Sequence, residues 1–186
     1  MRIFTLCAMP RGWSGWRGWS GWRGEYAEHA ELWGELMLIM HGSTVEVPNP
    51  EIRQARFNKD FGVGFYCTKI EAQAYRWATR FGEGCINYYE FDAAAGLSSL
   101  SFPVMTEEWL DFISLCRSGG AHEYDIVDGP MANDEVYNYV ADFLSGVISR
   151  PAFWELVKFR YPTHQICFHT EESLRSIRFV NARMVK

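Results

Sequence analysis

Three short stretches hold residue types that can grip a polar ligand. LIMHGST closes a first apolar run with His41, Gly42 and Ser43, FNKDFGVGFYCT carries Asn58, Asp60, Phe61, Gly62, Gly64 and Tyr66, and HQICFHT opens on His164-Gln165. An imidazole both donates and accepts hydrogen bonds, a phenol offers a stacking face, and a primary amide bonds both ways without charge. Singly, each has a plainer reading: His41 as a turn residue, Tyr66 as core, Gln165 as a strand-edge amide. The common catalytic signatures are absent. The G-x-G of DFGVGFY leads into a strand, whereas a dinucleotide fingerprint places its glycines between strand and helix. There is no Walker sequence, H-E-x-x-H pattern or G-x-S-x-G elbow. His164 and His169 lack carboxylate or thiolate neighbours at ligand spacing and read as surface or half-buried histidines. Pairing a histidine with Cys67 or Cys167 as a protease has no supporting local pattern. Five cysteines, an odd number without C-x-x-C spacing, suggest neither a disulfide framework nor a metal site.

The elements that must position these residues follow from hydrophobic period and punctuation. LMLIM (36–40) is a strand running into His41-Gly42, and EIRQARF suits a short helix after Pro50. FYCT is a second strand, and Thr68 with Glu71 forms a capping-box pattern opening a helix to about Phe81. CINYYEFD (85–92) alternates as a strand. Thr106 is placed to cap a helix over 107–117 with Trp109, Leu110, Ile113 and Cys116 on one face. YDIV (124–127) is a strand, and Asn133 is placed to cap a helix bearing Val136, Val140, Phe143 and Leu144. A helix over 150–158, a strand in HQICFHT, a short helix at 171–176 and a strand at 178–181 complete the chain. Short strands interleaved irregularly with helices indicate an α+β domain over 35–186.

A length of 186 residues, with 48% hydrophobic and 22% charged content, suits one globular domain with an appendage. Residues 12–24, GWSGWRGWSGWRG, repeat a six-residue unit too short for a solenoid, so residues 1–34 are expected to be a poorly ordered extension. A net charge of −5 and a pI near 5.6 argue against a whole-protein grip on nucleic acid. Reduced-looking cysteines and the lack of an apolar run near the roughly 18 residues of a membrane span favour the cytoplasm. The start MRIFTLCAMP has only a short apolar stretch before Pro10, a poor signal peptide.

In order and spacing, the three stretches resemble the motifs of the His-Tyr-Glu branch of ADP-ribosyltransferases, the branch of diphtheria toxin and the poly(ADP-ribose) polymerases. Residues 38–180 look more closely like an uncharacterised bacterial family of small proteins with this fold, often encoded beside a short antitoxin-like protein. The similarity runs through LIMHGSTVEVPNPEIR, FNKDFGVGFYCT, EAQAYRWA, YEFD, EEWLDFI, YDIVDGPMANDEVY, LSG and HQICFHTEESL. The resemblance implies an ADP-ribosyltransferase-like split β-sheet core with peripheral helices and NAD+ as substrate. His41 would bond the adenosine-side ribose, Gly42 would admit the nicotinamide amide, and Tyr66 would stack on the nicotinamide ring between Gly62 and Gly64. Gln165 falls where the branch carries its catalytic glutamate. Ser43, Asn58, Asp60 and Phe61, with Asn133 and Asp134, would line the donor site, and Asp125 or Asn133-Asp134 could supply what glutamine lacks. On this basis Gln165→Glu is expected to retain or raise NAD+ cleavage.

The implied function is mono-ADP-ribosylation of a macromolecular acceptor, in a toxin–antitoxin or host-conflict setting, with an acceptor loop at about 157–164 whose Phe159 and Tyr161 either read the acceptor or simply pack. The alternatives are a non-catalytic NAD+ or ADP-ribose binding module, an NAD+ glycohydrolase, and a structural interaction protein.

Overall fold

The apolar run that opens the patterned sequence becomes strand β1 (Leu36–Ser43), longer than its LMLIM core because His41, Gly42 and Ser43 stay paired with β3 (Gly84–Asp92). The computed structural model describes residues 36–54, 58–93, 96–132, 134–158 and 163–186. All lie in the unit Gly34–Lys186. The Gly/Trp repeat, Asn133, Phe159 and Tyr161 fall outside the described residues, as do the side-chain surroundings of Asp134.

Two sheets result. In the first, β1, β3 and β7 (Ile177–Val185) lie side by side, all antiparallel. In the second, the order is β2 (Phe65–Cys67), β6 (Gln165–Phe168), β5 (Ile126–Gly129) and β4 (Ser99–Ser101). The β4–β5 pair is parallel, while β2–β6 and β5–β6 are antiparallel. Reciprocal 2.8 Å hydrogen bonds between Met40 and Thr68 tie the end of β1 to the end of β2, where the two sheets meet. The domain is therefore α+β.

Side-chain period sorts the core into three layers. Ile39, Phe65, Tyr89, Phe91, Ile166 and Phe168 fill the space between the sheets. Helix α1 (Glu71–Ala78) covers the outer face of the first sheet, with Ala74 and Ala78 against Met40 and Ile86. Helices α2 (Glu107–Arg117), α3 (Asp134–Leu144) and α4 (Arg150–Val157) cover the second, burying Trp109, Leu110, Ile113, Val140 and Phe153 completely. Each aliphatic side chain so buried contributes roughly 1.5–3 kcal/mol. A last short helix, α5 (Glu171–Leu174), is closed by a capping box between Thr170 and Ser173.

Element bounds shift, most of all in β7, which runs Ile177–Val185 against an expected 178–181, and three local expectations fail outright. Residues 51–54 form no helix. Thr68 caps nothing: its backbone is committed to Met40, its hydroxyl accepts the Ile70 N–H, and α1 starts from Ile70 with no side-chain cap. Strand β4, three residues with exposed serines, has no counterpart in the sequence reading. Among the described residues, no helix is long and apolar enough to cross a membrane.

Candidate functional site

Register places the three marked residues. Tyr66 on β2 pairs with Cys167 on β6, so Tyr66, Cys167 and Gln165 share one face of the second sheet while Phe65, Ile166 and Phe168 point into the core between the sheets. The His41 ring lies 4.6 Å from that of Phe65 at the junction of the sheets. His41, Tyr66 and Gln165 line one cavity of about 440 Å3, a size ordinary for small-ligand sites.

Each is held with one useful group uncommitted. His41 Nδ1 lies 2.7 Å from the Tyr66 carbonyl, which can only accept, so Nδ1 carries the proton. Burial lowers the His41 pKa, outweighing that carbonyl and reinforced by Lys59. The neutral ring keeps the lone pair of Nε2 for a ligand hydroxyl. Tyr66 is clamped by its hydroxyl, which donates to Gly62 O at 2.7 Å and accepts from Phe61 N–H at 3.2 Å. Burial raises its pKa well above the ordinary value, so it stays a neutral phenol. Gln165 is 5% exposed and spends both amide hydrogens, on Asp60 Oδ2 at 3.1 Å and Pro130 O at 3.4 Å. Its Oε1 accepts from no described residue and remains as an acceptor.

Asp60 is the anchor of this arrangement. It is 6% exposed, and it accepts from Arg117 Nη2 at 2.5 Å, Arg117 Nε at 2.9 Å, Ala132 N–H at 2.8 Å and Gln165. Arg117 lies over the Tyr137 ring, 4.2 Å from its centroid, and donates to the Tyr137 carbonyl. A buried carboxylate is tolerated where it is paired and fully hydrogen-bonded, as here. Asp60 thus stands behind Gln165, but its charge is answered by Arg117.

The remaining expected residues divide. Gly42 and Asn58 line the cavity, and Asn58 also donates to Arg117 O. A Cβ on Gly42 would sit 2.1 Å from the Ala74 carbonyl, so glycine here lets α1 lie on β1 whatever a ligand requires. Gly62 adopts φ 85°, the left-handed region that turns the loop back to receive the Tyr66 hydroxyl. Gly62 and Gly64 shape that loop from outside the lining. Ser43 does not reach the cavity either: its hydroxyl accepts from Val45 N–H in a turn. Phe61 is fully buried among Phe102, Trp109 and Val127, a core residue and not a ligand contact. Asp125 is turned away, accepting from Ser98 N–H and the Thr170 hydroxyl, and so supplies no charge to the site.

Several lining residues escaped the sequence reading. Gln73, Ala74, Trp77 and Arg80 approach from α1 and the turn after it, and their i, i+1, i+4, i+7 spacing was the signal available for them. Gln73 brackets the backbone of His164 with two 2.9 Å bonds, steadying the residue beside Gln165. His164 is not isolated: its Nε2 meets Asp128 Oδ1 at 2.5 Å, while Nδ1 accepts from Lys69 N–H. Burial alone would raise the Asp128 pKa, but His164 and Lys69 together hold it below the ordinary value. The pairing spans 36 residues, which is why no local spacing announced it. Lys59, Met131, Ala132 and Tyr137 complete much of the wall. Among the described residues, no three His, Cys, Asp or Glu side chains group as metal ligands, and Cys67, Cys85, Cys116 and Cys167 are buried free thiols.

A family model described as "Protein of unknown function (DUF3990)" matches residues 37–179. No curated protein matches the chain.

Proposed function

The chain belongs to the DUF3990 family, and within it we propose an NAD+-dependent mono-ADP-ribosyltransferase with an ADP-ribosyltransferase-like split-sheet core. The observation that carries the reading is the convergence of His41, Tyr66 and Gln165 on one cavity. There, a neutral imidazole presents a lone pair, a clamped phenol a ring, and a buried amide its carbonyl oxygen. That set fits a nucleotide sugar with a planar leaving group: the ring of Tyr66 holds the base, and the two acceptors take ribose hydroxyls.

In the reaction, the bond between C1 of the ribose and the pyridinium nitrogen breaks, and nicotinamide leaves neutral with the electron pair. The acceptor's lone pair bonds C1, and the proton it loses passes to solvent. Positive charge gathers on the ribose meanwhile, as in glycoside cleavage. Gln165 Oε1, fixed by Asp60 and Pro130, would grip a hydroxyl of that sugar without reorganising. The acceptor is a macromolecule and the setting a toxin–antitoxin pair on the strength of the resemblance alone, while the cytoplasmic location rests on the cysteine pattern of the sequence.

One observation favours a second reading, a non-catalytic NAD+ or ADP-ribose binding module. The only carboxylate lining the cavity among the described residues is Asp60, and Arg117 answers its charge. Labelled NAD+ incubated with the protein and cell extract separates the readings. Nicotinamide release with label on a macromolecule supports transfer, release without transfer supports a glycohydrolase, and binding without release supports the module.

A further inference from the structure

The cavity wall carries two cations that no carboxylate answers among the described residues. Lys59 stands on the loop before β2, its ammonium 4.5 Å from the Tyr66 ring centroid. Arg80 follows α1, its guanidinium 5.1 Å from the Trp77 ring centroid and 5.4 Å from that of Phe81. Both line the cavity. Most other described cations are paired, Arg117 with Asp60, Arg178 with Glu90 and Arg183 with Glu71, and Arg76, which has no such partner among the described residues, lies outside the lining. Since Arg117 and Asp60 cancel, Lys59 and Arg80 leave the described lining with two uncompensated positive charges.

An aromatic face positions a cation weakly and leaves its N–H donors free for oxygen acceptors. Partial burial of its ammonium lowers the Lys59 pKa, although the residue as a whole stays exposed. Such a group is balanced when a ligand brings the anion, and a concave site with low-dielectric walls concentrates the field that attracts one. Met40, Ala74, Met131 and Ala132 add apolar wall for a planar base.

We propose that Lys59 and Arg80 hold the phosphate groups of a nucleoside diphosphate ligand, so that the site selects the phosphorylated dinucleotide over its nicotinamide riboside portion. The identity of the rest of the ligand rests on the NAD+ reading; the diphosphate contact does not. Lys59→Met and Arg80→Met keep the apolar stems and break no ion pair between described residues, so unchanged thermal unfolding serves as the check on folding.

The test is calorimetric titration of the full chain and the two variants, singly and combined, with ADP, adenosine and nicotinamide at two salt concentrations. ADP should bind the wild type more tightly than adenosine, with affinity falling as salt rises. Each variant should weaken ADP about tenfold, as for loss of one charge-assisted contact. The double variant should lose the salt dependence, and Arg80→Met alone should leave nicotinamide affinity unchanged. ADP bound no better than adenosine, or equally by wild type and double variant, overturns the inference even if NAD+ is bound and cleaved. Variant-sensitive ADP binding without any nicotinamide binding or NAD+ cleavage leaves the inference standing and sinks the NAD+ reading.

Discussion

Gln165→Glu is the substitution on which the geometry and the resemblance to the His-Tyr-Glu branch disagree most sharply. It restores the carboxylate usual in the His-Tyr-Glu branch, which argues for faster cleavage. In this site, however, the amide nitrogen it replaces donates to Asp60 Oδ2 at 3.1 Å and Pro130 O at 3.4 Å, both acceptors. Two carboxylates at that separation repel by about 5 kcal/mol at an effective dielectric of about 20. Arg117, already paired with Asp60, trims that figure. The variant escapes by keeping its proton and donating it to Asp60. Holding the proton at pH 7, against an unfolded-state pKa of about 4.3, costs about 3.7 kcal/mol.

The sign follows from linkage. The folded-state pKa of the new carboxyl lies above its unfolded value, so the folded state binds more protons than the unfolded one. Stability relative to wild type is therefore close to intact below about pH 4.3 and falls by about 1.4 kcal/mol per unit as pH rises, until the repulsion ceiling is reached. Urea unfolding of both proteins from pH 4.5 to 8 measures this directly, and the melting temperature at pH 7 should drop by roughly 7–15 °C. The protonated carboxyl of this variant also presents the same kind of carbonyl acceptor as Gln165 Oε1, so nicotinamide release should not exceed wild type. A stability difference below about 0.5 kcal/mol and flat with pH, or a clear gain in nicotinamide release, would refute the placement of Asp60 behind residue 165.

Further substitutions probe the same frame. Tyr66→Ala should weaken NAD+ binding about 10- to 100-fold by calorimetry, because ring stacking is made before as well as during bond cleavage; Gln165→Ala should leave binding nearly unchanged and abolish nicotinamide release. Arg117→Met strands a buried Asp60 carboxylate (8% side-chain exposure) and should cost about 3–5 kcal/mol in urea unfolding, with Asp60→Asn in the same chain recovering part of it. His169, whose pKa burial and the neighbouring His122 ring lower to about 4 against the opposing pull of the Val63 carbonyl and Asp125, is neutral in the fold. Its contribution is present above about pH 6.5 and lost as pH falls toward 4, about 1–2 kcal/mol after discounting for partial exposure, and His169→Gln should remove that component from the difference in pH–stability curves.

The parts of this fold that the sequence announces are those governed by neighbours in the chain. Thr106 accepts from Trp109 N–H as its position implies, and Trp109, Leu110, Ile113 and Cys116 are all buried at helical spacing. The placement of Tyr66 and Gln165 on one face is likewise a consequence of strand period once β2 and β6 pair. What stays hidden is set by long-range partners. Thr68 has the residue pattern of a cap, yet a bridge to Met40 takes its backbone first. Asp60 and Arg117 are 57 residues apart, and Asp60 and Gln165 are 105 apart, so no local pattern could join them. That joining changes the meaning of the glutamine. Along the chain, Gln165 looks like a glutamate that lost its charge. In the folded site it is the side chain that can donate to a buried aspartate and still turn an acceptor toward the cavity, which an ionised glutamate cannot do. Residues 60 and 165 therefore act as one unit, and the chemistry of either can be judged only with the other in place.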